Sequence, residues 1–102
     1  MLVADLDLQV WLDTIPDAQP SIMTPYVQTE KDQDLQYRLT AIREGPTGSL
    51  RLAQGGEVHA PADQPTALSQ FSITLGEGDQ CSINLVLLTA GQAVGTYHFN
   101  CH

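Results

Sequence analysis

Positive charge is scarce in this chain. Only four of its 102 residues are lysine or arginine, against twelve aspartates and glutamates, for a formal net charge of −8 at pH 7. That deficit excludes general binding to nucleic acid, whose phosphates would be repelled. It equally excludes adhesion to an anionic membrane surface. No apolar run approaches the length of a membrane span, so membrane insertion is not expected. Catalytic signatures are missing as well. No serine sits in a Gly-x-Ser-x-Gly elbow. The glycine-containing stretch Gly76-Glu77-Gly78 is acidic and would repel a phosphate. The acid pairs Asp5/Asp7 and Asp32/Asp34 fall on a strand and in a turn, where solvation and turn formation account for them. We expect neither an enzyme nor a bound cofactor. Met1 to Asp7 has no cationic region and no long apolar one, so no signal peptide is legible. Either the protein is cytosolic, or this is a mature chain whose leader is gone.

What remains reads as one domain, residues 1–102, built from strands. The length fits a single core, and a domain of this size buries roughly two-thirds of its unfolded surface. Leu6, Leu8, Val10 and Leu12 alternate with polar residues and Trp11, the period of a half-buried strand. Ile22 to Thr29 follows. It contains Pro25, which cannot donate to a ladder and so predicts an edge strand or a bulge. Leu35, Tyr37, Leu39 and Ala41 share one face of the third strand, with Gln36, Arg38 and Thr40 on the other. Leu50 and Leu52 predict a short fourth strand with Arg51 facing outward. Gly55-Gly56 and the prolines from Pro61 to Pro65 then read as loop. Leu68 to Leu75 is a fifth strand. Cys81 to Leu88 is apolar on both sides, as a central strand would be, and Val94, Tyr97 and Phe99 mark the last. About seven strands with turns every 8–12 residues and no helix predict an antiparallel β-sandwich of immunoglobulin-like architecture. The antibody Cys…Trp…Cys signature is absent.

Two cysteines are present. In a hairpin centred on Gly91, Cys81 would oppose Cys101, close enough for a bridge to be considered. They are either a disulfide, which favours an oxidising compartment, or two reduced thiols. A sharper alternative joins Cys81 and Cys101 to His98 and His102 in a redox or metal-handling site for zinc or copper. Their spacing matches no established zinc or redox motif. Trp11 faces away from its apolar neighbours and is either an aromatic contact for a partner or partly covered.

The cations themselves are gathered. Lys31, Arg38, Arg43 and Arg51 share their stretch with only Asp32, Asp34 and Glu44, while the other nine acids have no cation among them. An uneven field of this kind can steer a partner without a deep pocket. Arg38 and Arg51 point away from the core-facing residues, and the guanidinium fork suits carboxylates. The plainer reading is that these groups pair with Glu44, Asp32 or Asp34, in surface bridges contributing about 0–1 kcal/mol.

The runs Thr24-Pro25-Tyr26-Val27, Asp32-Gln33-Asp34-Leu35-Gln36-Tyr37-Arg38-Leu39 and Arg43-Glu44-Gly45 resemble the curli-assembly chaperones of the CsgC/CsgH type. Gln64-Pro65-Thr66-Ala67-Leu68-Ser69 and the Gly78-Asp79 turn before Ile83-x-Leu85 extend the likeness over roughly residues 6 to 98. The CsgH branch looks nearer than the CsgC branch, whose Cys-x-Cys pair is missing. The resemblance implies a small periplasmic protein with an Ig-like fold that blocks premature amyloid formation by a curli-type subunit through a partly charged strand surface, without enzymatic activity. It implies Arg38 first, then Arg43, as contact residues, with Lys31 and Arg51 added by the charge argument. We expect a monomer. A passive Ig-like adhesive or structural module is the remaining alternative.

Overall fold

The computed structural model describes residues 8–15, 21–46 and 48–101, and every regular element among them is a strand. There are eight, in two sheets. One sheet sets β1 (Gln9–Ile15) against β2 (Ser21–Gln28), whose other side meets β5 (Thr66–Ala67) and β6 (Phe71–Ile73). The second sheet contains β3 (Gln33–Gly45), β4 (Gly48–Ala60), β7 (Gln80–Thr89) and β8 (Gln92–Asn100), in the order β4-β3-β7-β8. All strand pairs are antiparallel. The inner faces share one core. Met23, Val27, Phe71 and Ile73 come from the first sheet, and Leu35, Leu39, Ile83, Leu85 and Leu87 from the second. Each such side chain contributes about 1.5–3 kcal/mol by leaving water. The architecture is the expected immunoglobulin-like β-sandwich, with β7 central between β3 and β8. Leu6, which opens the first predicted strand, lies outside the described residues.

Three local expectations are corrected. First, the fourth strand is long rather than short: β4 runs thirteen residues, straight through Gly55-Gly56. Glycine weakens a strand, but here the Tyr37 side chain covers it, and a Cβ on Gly56 would lie 3.3 Å from the Tyr37 hydroxyl. The glycine makes room for the ring. Second, Pro25 lies in a strand paired on both sides. Its carbonyl accepts from the Leu68 amide at 2.9 Å, so the side lacking an N–H faces the gap between β5 and β6. No ladder bond is lost there, and none of the bulge or edge placement is needed. Third, the predicted strand Leu68–Leu75 is shorter. Of its residues only Phe71–Ile73 are strand; the first three, 68–70, connect β5 to β6, and the Ser69 hydroxyl donates to Gln54 Oε1 of the opposite sheet.

The β7–β8 hairpin turns on Ala90 and Gly91, both at positive φ (51° and 80°). That is the two-residue turn whose twist matches antiparallel strands. A regular ladder from this turn would set Cys81 against Asn100. One extra residue, Val94, bulges between Ala93 and Gly95 and shifts the register. Cys101 therefore lies opposite Cys81, its N–H donating to the Cys81 carbonyl at 3.1 Å. The two are joined by a disulfide, with Cα atoms 5.1 Å apart, at the buried end of the core.

Two outcomes follow for stability. Replacing both cysteines by alanine will cost about 3 kcal/mol, because the bridge constrains a loop of 20 residues in the unfolded chain. Urea unfolding of the double variant beside the parent measures this. Separately, burial raises the Tyr97 phenol above its ordinary value. The unfolded chain then releases that proton first as pH climbs past about 10, so Tyr97's contribution is complete below that pH and is lost through the raised value. Tyr97→Phe will flatten the decline in urea midpoint between pH 9 and pH 11; an unchanged decline would assign it to other groups.

Candidate functional site

Strand alternation assigns every β3 side chain to a face. Leu35, Leu39 and Ala41 go to the core, so Gln36, Arg38, Thr40, Ile42 and Glu44 go outward. Their cross-strand partners complete the outer face of the four-stranded sheet. Arg38 lies between Gly55 of β4 and Val86 of β7, and Arg51 lies opposite Ile42. Neither arginine has a carboxylate directly opposite. Both are exposed, and among the described residues neither forms an ion pair. By strand spacing their Cα atoms are roughly 14 Å apart, within joint reach of one extended segment.

The other two cations are elsewhere. Arg43 has the core-facing parity of Leu39 and Ala41. It is half-buried, and its Nη1 donates to the Thr74 carbonyl at 2.9 Å, tying the end of β3 to the connection after β6. Lys31 is exposed in the β2–β3 turn, at the end of the sheet remote from Arg51, and its carbonyl accepts from Thr29 Oγ1 at 2.6 Å. Of the four cations adjacent in sequence, the fold brings Arg38 and Arg51 onto one face and separates Arg43 and Lys31 from it.

Acids share that face without neutralising it. Asp34 Oδ1 accepts from His59 Nδ1 at 2.7 Å, at the end near Lys31. Glu57 stands opposite Gln36, and Glu44 at the far end opposite Gln80. Asp32 is engaged by the Ala62 amide at 2.7 Å. None of them holds Arg38 or Arg51.

A feature the sequence reading missed adjoins Arg38. A shallow groove of about 300 Å³ is lined by Tyr37, Arg38, Gly55, Gly56, Leu88 and Gly91. It continues past Gln36 and Glu57 into a second hollow of about 330 Å³ beside Asp34 and His59. The missing side chain of Gly55, opposite Arg38, opens its floor, and a Gly91 amide donating to Gln36 Oε1 at 3.1 Å fixes the hairpin tip as one wall. Gly55-Gly56 reads as loop in the sequence, and that reading conceals the groove.

The remaining candidates separate by parity. His98 projects outward, its Nδ1 2.9 Å from Asn84 Oδ1, while Cys81 and Cys101 face the core and are bonded to each other. His98 and the cysteines therefore point to opposite sides of one sheet. Among the described residues no group of three His, Cys, Asp or Glu is placed to hold a metal; His102 lies outside them. Trp11 stacks on Tyr26, its partner across β1 and β2, with ring centroids 5.6 Å apart and planes at 9°.

The family described as thin aggregative fimbriae synthesis protein, Tafi-CsgC, matches residues 1–98. Curli assembly protein CsgC of Escherichia coli (strain K12) is 26% identical over 94 residues, covering 92% of this chain and 84% of that protein. Among solved structures, E. coli curli protein CsgC superposes with a TM-score of 0.77 at 21% identity, covering 91% of this chain and 98% of that one. The solution structure of R. palustris CsgH gives a TM-score of 0.74 at 14% identity, with 91% of each chain covered. The likeness thus reaches both branches, with the higher identity to CsgC. At these identities the superpositions speak for the fold; the family match spans nearly the whole chain, and on it this protein belongs to the Tafi-CsgC family of curli assembly proteins.

Proposed function

We propose that this chain is a periplasmic chaperone that keeps a curli-type fibre subunit from premature amyloid assembly. It acts by transient contact with the outer face of the β4-β3-β7-β8 sheet, and by binding rather than by chemical turnover. The observation that supports this most is the pair Arg38 and Arg51: exposed, on one face, and free of opposing carboxylates, in a member of a curli assembly family. Lys31 at the end of the sheet extends the attraction along the strand direction, and Arg43 acts through the position of β3.

Amyloid grows when strands recruit further strands onto an open stack. A closed sandwich cannot be incorporated, because its strands are already committed to two layers. Brief contact with a rare nucleus is then enough to delay growth well below equal stoichiometry. Guanidinium groups without internal partners give up no ion pair of their own when they turn to a subunit carboxylate. The net charge of −8 leaves the rest of the surface repelling an acidic subunit, so contact is directed to this face.

The double substitution Arg38→Glu, Arg51→Glu tests the proposal. Both positions are exposed, so the unfolding free energy should stay within about 0.5 kcal/mol per site. Circular dichroism and urea unfolding check that. In a fibrillation assay with purified curli fibre subunit, the double variant will lose most of the lag extension given by the parent. Raising the salt from about 0.05 M to 0.5 M should weaken the parent's effect in the same direction, as screening shortens the reach of exposed charges. A double variant as effective as the parent would reject this face as the site.

A further inference from the structure

The outer edge of β4 carries a second kind of recognition element. The bond from the Cys101 amide to the Cys81 carbonyl sets the phase of the whole sheet. Antiparallel ladders alternate, so the odd residues of β7 bond β8 and the even ones bond β3. By the same alternation the even residues of β3 bond β7, and the odd ones bond β4. On β4 the residues opposite those odd positions are Leu50, Leu52, Gln54, Gly56 and Val58. The backbone N–H and C=O groups of Ser49, Arg51, Ala53, Gly55, Glu57 and His59 therefore point away from β3. All six residues are exposed, and no described strand pairs with that side.

Sheet edges are normally blunted by shortness, proline, lysine, bulges or inward-pointing charge. β4 has none of these. It is thirteen residues long, its register with β3 is unbroken from Gly48 to Ala60, and it contains no proline or lysine. Its core-facing residues include no charge. The other edges are guarded. β8 is bulged at Val94 and tied at its end by the disulfide. β5 and β6 have two and three residues. β1 has seven, against the thirteen of β4. The two faces flanking the β4 edge also differ. On the core side Leu50 is 41% exposed beside half-buried Leu52. On the outer side stand Arg51 and, one strand in, Arg38.

We infer that β4 accepts one extended, proline-free strand of the fibre subunit by backbone pairing, with apolar side chains toward Leu50 and Leu52 and an acidic or polar side chain toward Arg51. This rests on the chaperone reading above and specifies how the subunit is held. Backbone pairing supplies affinity, and the alternating side chains supply the choice of segment. Once paired, the subunit strand has one edge closed by a body that offers no continuing stack. Arg38 and Arg51 then attract, and the edge retains.

Ala53→Pro tests the edge without disturbing the fold's own ladder, because the Ala53 amide points outward and proline is tolerated at such positions. The full-length variant should unfold near the parent's urea midpoint. In fibrillation assays with the curli fibre subunit of Escherichia coli, it should need about fivefold more chaperone for the same lag, the equivalent of about one hydrogen bond. Hydrogen exchange on the parent gives an independent readout: with subunit present, the amides of Arg51, Ala53 and Gly55 should slow relative to those of β8. If the proline variant fails to fold, the exchange result decides alone. An unchanged edge exchange rate, or a folded proline variant as potent as the parent while Arg38→Glu, Arg51→Glu has lost activity, overturns edge pairing and leaves face contact standing. A parent that never extends the lag removes both readings together.

Discussion

Burial on one side of β3 governs everything presented on the other. Leu35, Leu39 and Ala41 are nearly inaccessible, packed against Ile83, Leu85 and Leu87 of the neighbouring strand and Met23 and Val27 of the facing sheet. Because side chains alternate, those contacts oblige Arg38 to face solvent. A slip of one residue would exchange the faces, withdrawing three apolar side chains from the core and forcing a guanidinium into it. The first loss alone is several times about 1.5–3 kcal/mol, and an unpaired buried charge costs more still. The outward position of Arg38 is therefore as secure as the core itself. The disulfide and the bulge at Val94 add a second lock at the far end, where they pin β8 to β7 and so fix the alternation of backbone bonds across the sheet.

Placement of opposite charge matters as much as placement of the cations. Gly55, Val86 and Ile42 occupy the positions across from the two arginines, and these residues can neutralise nothing. The acids of the same face sit away from these positions: Asp34 on His59, Glu57 opposite Gln36, and Glu44 opposite Gln80. An acidic protein can thus keep local positive potential wherever its own sheet supplies glycine and aliphatic neighbours to the cation. Arg43 shows the contrasting outcome. It is nearer to Arg38 in sequence than Arg51 is, yet its parity turns it inward, where Thr74 takes one of its donors.

Most of the architecture was legible because strict alternation has one physical meaning. The third strand, the two-sided apolar β7 and the turn residues between strands each announce themselves locally. What was illegible depended on partners distant in the chain. Gly55-Gly56 reads as loop until Tyr37 is known to lie over it. Pro25 reads as an edge until the break between β5 and β6 is known to sit beside its missing donor. The strand around Ser69 reads as continuous until residues 68–70 are seen to connect β5 to β6, with Ser69 donating to Gln54. The cations divide in the same way. That Arg38 and Arg51 face outward follows from their own strands, and that they share one face requires the register of β3 with β4. Arg43 is different: the Arg43-Glu44-Gly45 likeness points to a contact residue, while its parity with Leu39 and Ala41, legible in the sequence, already turns it from the outer face. The alignment of Cys81 with Cys101 came from counting about Gly91, yet the turn is centred between Ala90 and Gly91, and the extra residue at Val94 makes up the difference.

A bare edge is a hazard for the protein that carries it, and this chain meets the hazard with charge instead of covalent or steric guards. Pairing β4 of one copy with β4 of another would bring together two bodies of net charge −8. It would also place Glu57 and Arg51 of each copy within one small face, where only some registers avoid like charges in opposition. Self-pairing is thereby penalised without closing the edge. Under the proposed edge pairing, a flexible subunit strand would meet a smaller penalty: it would arrive without a second folded sandwich behind it, and it could choose the register that sets a carboxylate on Arg51. On that proposal, selectivity would come from the asymmetry between a folded, highly charged copy of itself and an unfolded, adaptable partner. The same six residues carry the free backbone groups, the groove-forming glycine and one of the two available cations. Face and edge are accordingly one surface, and the attraction that first orients a partner operates within a strand's width of the hydrogen bonds that would hold it.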